Sequence, residues 1–277
     1  MIKIENVVLP SPEQWEATIR GMRNPKNSWD RSDSGMGCVE RKYINVTETG
    51  LKLCDDCLAN WPDCSCTCVG DEEYYIGPKD HHLMETLNAG GPVHAKYRRM
   101  IPVYLDITAP LYWWKEFDTY KVGTVTNSCS TMHKIHAKEF TREDFSMEHL
   151  INVSDDPECT IPVFYNKCDP YDVFWLTISQ LNVCRKKYLE TKDKKYWWQM
   201  IQLLPSSYNQ KRTVMLNYEV LVGIYKWRKD HKLDEWRVFC EWIESLPYSE
   251  LITGKKTYNE KTRRFLDYNG VLNKDAE

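Results

Sequence analysis

The sequence predicts one α+β domain, a mixed or antiparallel sheet flanked by helices, with a Cys-rich insertion near its start. Three observations carry this. Val, Tyr, Leu and Ile suit a pleat between Ile101 and Ile107, and Arg212–Leu216 reads as a second extended segment. Between and after them, apolar residues recur at helical spacing, punctuated by proline and glycine. From Asn24 to about Gly77 the chain is instead polar, Cys-rich and weakly periodic, which predicts little regular structure.

The elements follow in order. Ser11-Pro12-Glu13 starts a helix, Ser as cap and Pro at the first helical position, that runs to about Arg23 and stops before Pro25. Asp80–Ala89 is a second helix, closed by Gly90-Gly91-Pro92, and a short turn around His94–Arg99 leads into the first strand. Pro110 opens a helix with an apolar and aromatic stripe, Leu111-Tyr112-Trp113-Trp114-Lys115-Glu116-Phe117, that ends at a bend containing Gly123. The acidic stretch Thr141–Lys167 reads as loop. Tyr171–Thr191 and Trp197–Leu204 are helical, the second stopped by Pro205. Tyr218–Asp230 and Asp234–Ser245 are amphipathic helices joined by the tight basic turn Lys229-Asp230-His231-Lys232. Residues 1–23 and 78–257 thus form the main domain, 24–77 the insertion and 258–277 a charged tail.

Composition narrows the function classes. A chain of 277 residues buries a proper core, and a net charge of −3 implies no polyelectrolyte partner, so nucleic acid is not expected. No run approaches the roughly 18 apolar residues of a membrane span, and the N-terminus carries no leader pattern. A cytoplasmic protein with no membrane partner is expected. Eleven cysteines in a reducing compartment then read as thiols or metal ligands.

Four constellations carry chemistry. Cys54-x2-Cys57 followed by Cys64, Cys66 and Cys68 has the spacing of a structural zinc site, with Fe–S ligation or a set of free thiols as the alternatives. His94 with Lys96, Arg98 and Arg99 is either a phosphate contact or a solvated basic turn. The loop from Asn127 through Ser130 to Lys134 offers hydroxyl, amide and imidazole groups for a phosphate or a pyrimidine edge. Its Cys129 has no evident activating base and reads as an unreactive thiol. Arg228 ends one helix and Arg237 lies in the next. The two either converge on an anion or form surface ion pairs with Asp230 or Asp234.

In this order, from His82 to Leu246, the segments resemble the flavin-dependent thymidylate synthases. His94 is similar to that family's upstream His, Ala109-Pro110-Leu111-Tyr112 to the start of its motif helix, and Asn127 and Ser130 to its loop Asn and Ser. Leu204-Pro205, Asn217, Arg228 and Glu235-x-Arg237 follow at family-like spacing. Departures stand at Thr119-Tyr120-Lys121 where the family has Arg-His-Arg, and at Ser128, Met132, Ile201 and Glu219. The resemblance implies reductive methylation of dUMP to dTMP using FAD, methylenetetrahydrofolate and NADPH in a homotetramer. It implies Arg228 as the catalytic residue. Ser130, Arg228, Arg237, Asn127 and Glu116 would bind substrate, and His94, Lys121, Asn217 and Tyr120 the flavin.

Overall fold

Alternation decides the central strand. Val103, Leu105, Ile107 and Ala109 are fully buried while Tyr104, Asp106 and Thr108 face the other way, so one face of this strand meets the core and one meets water. The structure, a computed structural model, describes residues 2–38, 46–47, 50–51, 72–163 and 166–255. In chain order its strands are β1 (Lys3–Val8), β2 (Gly35–Cys38), β3 (Val46–Thr47), β4 (Gly50–Leu51), β5 (Glu72–Tyr75), β6 (Pro102–Pro110), β7 (Val125–Ser128), β8 (Ile161–Val163), β9 (Asn166–Cys168) and β10 (Asn209–Asn217). Its helices are α1 (Pro12–Arg23), α2 (Pro78–Ala89), α3 (Leu111–Phe117), α4 (Pro170–Thr191), α5 (Lys194–Leu203), α6 (Tyr218–Arg228), α7 (Asp234–Glu244) and α8 (Glu250–Thr253).

The main sheet has the order β1-β6-β10-β7, every pair antiparallel. Its buried face packs on Trp15 and Ile19 of α1, Met84 of α2, Trp113 and Phe117 of α3, and Leu221, Trp236 and Phe239 of α6 and α7. Its open face is polar. There Asp106 accepts from Thr213 Oγ1 at 2.6 Å and Asn6 Nδ2 at 2.9 Å and pairs with Lys211 at 3.0 Å, which holds its carboxyl at about 2. A second apolar cluster, including Phe140, Phe145, Leu181 and Met200, roots α4 and α5 on the stretch before β8. No helix among the described residues is long and apolar enough to cross a membrane.

The α+β reading holds, with corrections to its elements. β1 and β7 are strands that the sequence pattern hid. Asn6 at φ +51° and a register shift between Glu5 and Val8 break the alternation of β1, and β7 is exposed along its whole length. The first strand runs on to Pro110, whose extended backbone caps α3, and α3 ends at Phe117 rather than at the Gly123 bend. The acidic loop contains the β8–β9 hairpin. Short ladders also stand in the segment expected to lack regular structure: β2 pairs with β5, and β3 with β4.

The start of that segment is anchored. Arg23 and Asp80 are buried and bonded to each other. Asp80 Oδ2 also accepts from the Ser32 and Ser34 hydroxyls at 2.7 Å and from the Asp33 and Ser34 amides. A buried carboxylate with this many donors is stable where an unpaired one would be ruinous. Cys54, Cys57, Cys64, Cys66 and Cys68 lie outside the described residues, and among the described residues no group of three metal-ligating side chains occurs.

Candidate functional site

Two helix ends and one helix start meet at a single carboxylate. α3 presents half-buried Glu116 one residue before its last, α6 delivers Arg228 at its C-terminus, and the turn into α7 brings His231 and then Trp236. Glu116 Oε2 accepts from Arg228 Nη1 at 2.7 Å and from Trp236 Nε1 at 2.9 Å, with His231 Nε2 at 3.5 Å. The Leu233 amide donates to His231 Nδ1 at 3.2 Å, so the neutral ring carries its proton on Nε2, toward the carboxylate. Arg228 Nε donates to the Tyr120 hydroxyl at 2.9 Å. Its guanidinium also lies 4.8 Å from the Trp236 ring centroid and 5.7 Å from that of Tyr120.

This corner rests on a rigid aromatic floor. Trp113, Phe117, Trp236 and Phe239 are essentially inaccessible and pack at centroid distances of 4.7 to 6.3 Å, Phe239 edge to face with the other three and Phe117 stacked on Trp236. Cys240, behind them, has its thiol pushed up to about 12 by burial and is inert. The result is a cation fixed between two aromatic rings, with one acceptor and one imidazole beside it. Such a corner can hold an anionic or carbonyl-bearing planar ligand.

Arg237 joins this corner only through the main chain. Nη1 donates to the His231 carbonyl at 3.3 Å while Nη2 pairs with Asp234, whose other oxygen is 3.0 Å from His149. The Asp234 ion pair is thus present, whereas Arg228 pairs with Glu116 and not with Asp230. The two guanidiniums share a neighbourhood, but each has its own carboxylate.

The remaining candidates occupy two further places. Asn217 caps α6, its Oδ1 accepting from the Val220 amide at 3.1 Å. The Lys121–Gly123 turn lies against this cap. Gly123 has φ +82°, and a Cβ there would stand 3.1 Å from Asn217 Nδ2 and 3.1 Å from Val220 Cγ2, so only glycine fits. Lys121 is exposed and makes no ion pair among the described residues. His94 is also exposed, with its ring close to Gly90 at the end of α2. Asn127 and Ser130 are exposed, Asn127 on β7 opposite Thr213 and Ser130 just beyond, its hydroxyl accepting from the His133 amide at 2.9 Å. Cys129 is an exposed free thiol held through its main chain to Lys211 and Gln210.

One residue of the basic turn must be reassigned. Arg98 is buried and reaches Glu219 with two nitrogens at 2.8 Å each, and Asn88 with a third, so it is no phosphate ligand beside Lys96 and Arg99. This also explains the acidic residue at position 219, which completes an internal ion pair. Thr119 is exposed and its hydroxyl is spent locally, donating to the Glu116 carbonyl at 2.7 Å, and Ile201 packs in the second apolar cluster.

Sequence reasoning did not assign roles to His231, Trp236 or Arg212. Arg212 stacks 4.2 Å from the Trp114 ring centroid and bonds Asp118 at 2.7 Å. The available signal for the first two was their distance from Arg228, three and eight residues on across a tight turn.

No protein-family model matches the chain, and no curated protein matches its sequence. Solved structures do match. Thymidylate synthase X (ThyX) from Helicobacter pylori, with FAD and dUMP, superposes with a TM-score of 0.51 at 12% identity, covering 95% of this chain and 100% of that one. A second structure, flavin-dependent thymidylate synthase ThyX from Helicobacter pylori complexed with FAD and dUMP, gives 0.50 at 13% identity, covering 91% and 96%. The chain therefore has a ThyX-like fold.

Proposed function

We propose that this chain is an enzyme of pyrimidine nucleotide metabolism that methylates dUMP reductively to dTMP, with FAD, methylenetetrahydrofolate and NADPH. The observation that carries the reading is the Arg228 corner: a guanidinium clamped by Trp236 and Tyr120, with Glu116 and His231 at its edge. A uracil nucleotide asks for flat walls, a cation and a few directional polar groups, and this corner supplies them in one place. The FAD and dUMP held by the ThyX structures support the same assignment.

In this reading Arg228 binds the nucleotide and stabilises negative charge developing on the ring carbonyl, as a fixed guanidinium does without reorganising. Glu116 and Tyr120 hold its orientation. Ser130 and Asn127 contribute donors from the exposed loop, and Arg237 supports the phosphate side. Lys121, His94 and Asn217 would hold the flavin with Tyr120 beside its ring. An exposed ammonium without a carboxylate partner among the described residues fits a flavin phosphate, whereas the Thr119 hydroxyl is already spent on the Glu116 carbonyl. When bound, the flavin supplies the redox chemistry, and the protein supplies position and field. A homotetramer with sites between copies accounts for Val122 and Val125 standing 92% and 61% exposed beside the candidate loop. Cys54, Cys57, Cys64, Cys66 and Cys68 of the insertion remain the set from which we propose the ligands of a structural zinc.

A second reading has its own observation. The Arg98–Glu219 pair and the packing of Ile201 absorb into structure two of the positions at which the chain departs from the resemblance. This favours a related modification of another pyrimidine nucleotide on the same fold.

The test is the visible spectrum of the purified protein before and after FAD titration, followed by dUMP binding calorimetry on wild type and Arg228→Ala. Flavin absorbance with dUMP binding lost in the variant supports the proposal. Protein that never binds FAD overturns the flavoenzyme reading, and dUMP binding indifferent to Arg228 overturns the site.

A further inference from the structure

The chain is acidic overall, yet folding gathers positive charge at one end. From Arg185 to Lys195, six cations and two carboxylates leave a local excess of four positive charges against a whole-chain net of −3. These residues form the tip where α4 turns into α5, with Lys192 at φ +56° closing α4 and Asp193 capping α5. Lys187 and Lys195 pair with Glu190 and Asp193 at 3.6 and 3.0 Å. Lys186, Lys192 and Lys194 make no ion pair among the described residues.

Aromatic rings alternate with these ammonium groups. Lys192 Nζ is 5.9 Å from the Tyr188 centroid, Lys195 Nζ 4.9 Å from that of Tyr196, and Lys194 Nζ 5.9 and 5.6 Å from those of Trp197 and Trp198. Trp197 is braced, its Nε1 donating to the Met132 carbonyl at 2.9 Å. Trp198 packs against it edge-on at 4.8 Å and remains 42% exposed. A braced indole presenting a second, open indole beside Lys194, on a tip that also carries Lys186 and Lys192, has the makings of a stacking platform in a positive field.

We infer that the α4–α5 tip binds single-stranded nucleic acid, lysines taking the phosphates and Trp198 stacking on a base. A polyanion matches the local charge, and a flat π-face matches the exposed indole. A bilayer surface matches less well, because the open apolar side chains nearest the tip, Val183 at 54% and Leu189 at 37%, line one groove together with Glu139 and Glu190, whose carboxylates oppose insertion into an anionic lipid surface. The residues involved lie outside the Arg228 corner, so this inference does not depend on the proposed reaction.

The test is fluorescence anisotropy with a labelled oligothymidylate of about fifteen nucleotides, a length within the usual single-strand site range. Three or four phosphate contacts predict an affinity loss of about 20- to 50-fold between about 50 and 200 mM salt. The double variant Lys192→Glu/Lys194→Glu should lose at least about tenfold, and Trp198→Ala about fivefold or more, with far-UV circular dichroism unchanged. Absence of binding at low salt, equal affinity for a duplex of the same length, or binding to phosphatidylserine vesicles but not to the oligonucleotide would each overturn the inference.

Discussion

The Arg228 corner and the Asn127–Ser130 segment were both read as parts of one site, yet they are built oppositely. The corner is held from three elements. Its cation, acceptor and imidazole touch one another, and its floor is buried tryptophan and phenylalanine. The segment lies on the edge strand β7 and the turn after it, exposed throughout, tied to β10 through its backbone and with the Ser130 hydroxyl bonded to the nearby His133 amide. One region is preorganised through its side chains, and the other only through its backbone ladder to β10. Preorganisation by packing is the expensive part of a site to build, and here it is confined to the corner.

The sharpest way to break this contrast is Trp236→Ala. The residue is fully buried, stacks on three aromatic rings and bonds Glu116, so removal should destabilise the fold by about 3–5 kcal/mol, read from chemical denaturation. Arg228→Met comes next. It leaves Glu116 without its cation, and because the pair is partly exposed the expected loss is about 1–2 kcal/mol. Glu116→Gln keeps the shape and removes the charge; stability should change by less than about 1 kcal/mol, while inorganic phosphate should bind the freed guanidinium more tightly in calorimetry. Ser130→Ala should leave stability within about 0.5 kcal/mol, so any tenfold loss of nucleotide affinity in it would assign the loop a direct contact.

A pH test separates the corner from the sheet's open face. Asp106 is depressed to about 2 by its three donors, so its contribution is complete above the ordinary carboxylate range and disappears as pH falls through about 2. Asp106→Asn should therefore be less stable than wild type at neutral pH, and the two melting curves should converge in strong acid.

What the sequence showed, and what it hid, follows from range. Helix starts were legible because their signals are local: Ser11 with Pro12 caps α1 as read, and Asp234 opens α7. Arg228 was legible as a cation at a helix end. Its pairing with Glu116 was not, although the resemblance named both as substrate contacts, because the two are 112 positions apart and only tertiary packing brings the ends of α3 and α6 together. Arg98 was misread for the same reason: its neighbours Lys96 and Arg99 are solvated, while its own partner Glu219 lies 121 positions on. β7 escaped notice because an edge strand exposed on both faces has no burial pattern to display.

The β2–β5 ladder has a consequence for how this chain tolerates change. Cys38 and Glu72 are opposed across an antiparallel pair, so the chain leaves this ladder at one and returns to it at the other, side by side. Between two points already held side by side, a change in loop length alters the closure entropy only slowly. A chain in which residues 39–71 are replaced by a two-residue Asn-Gly turn should fold with the main sheet intact.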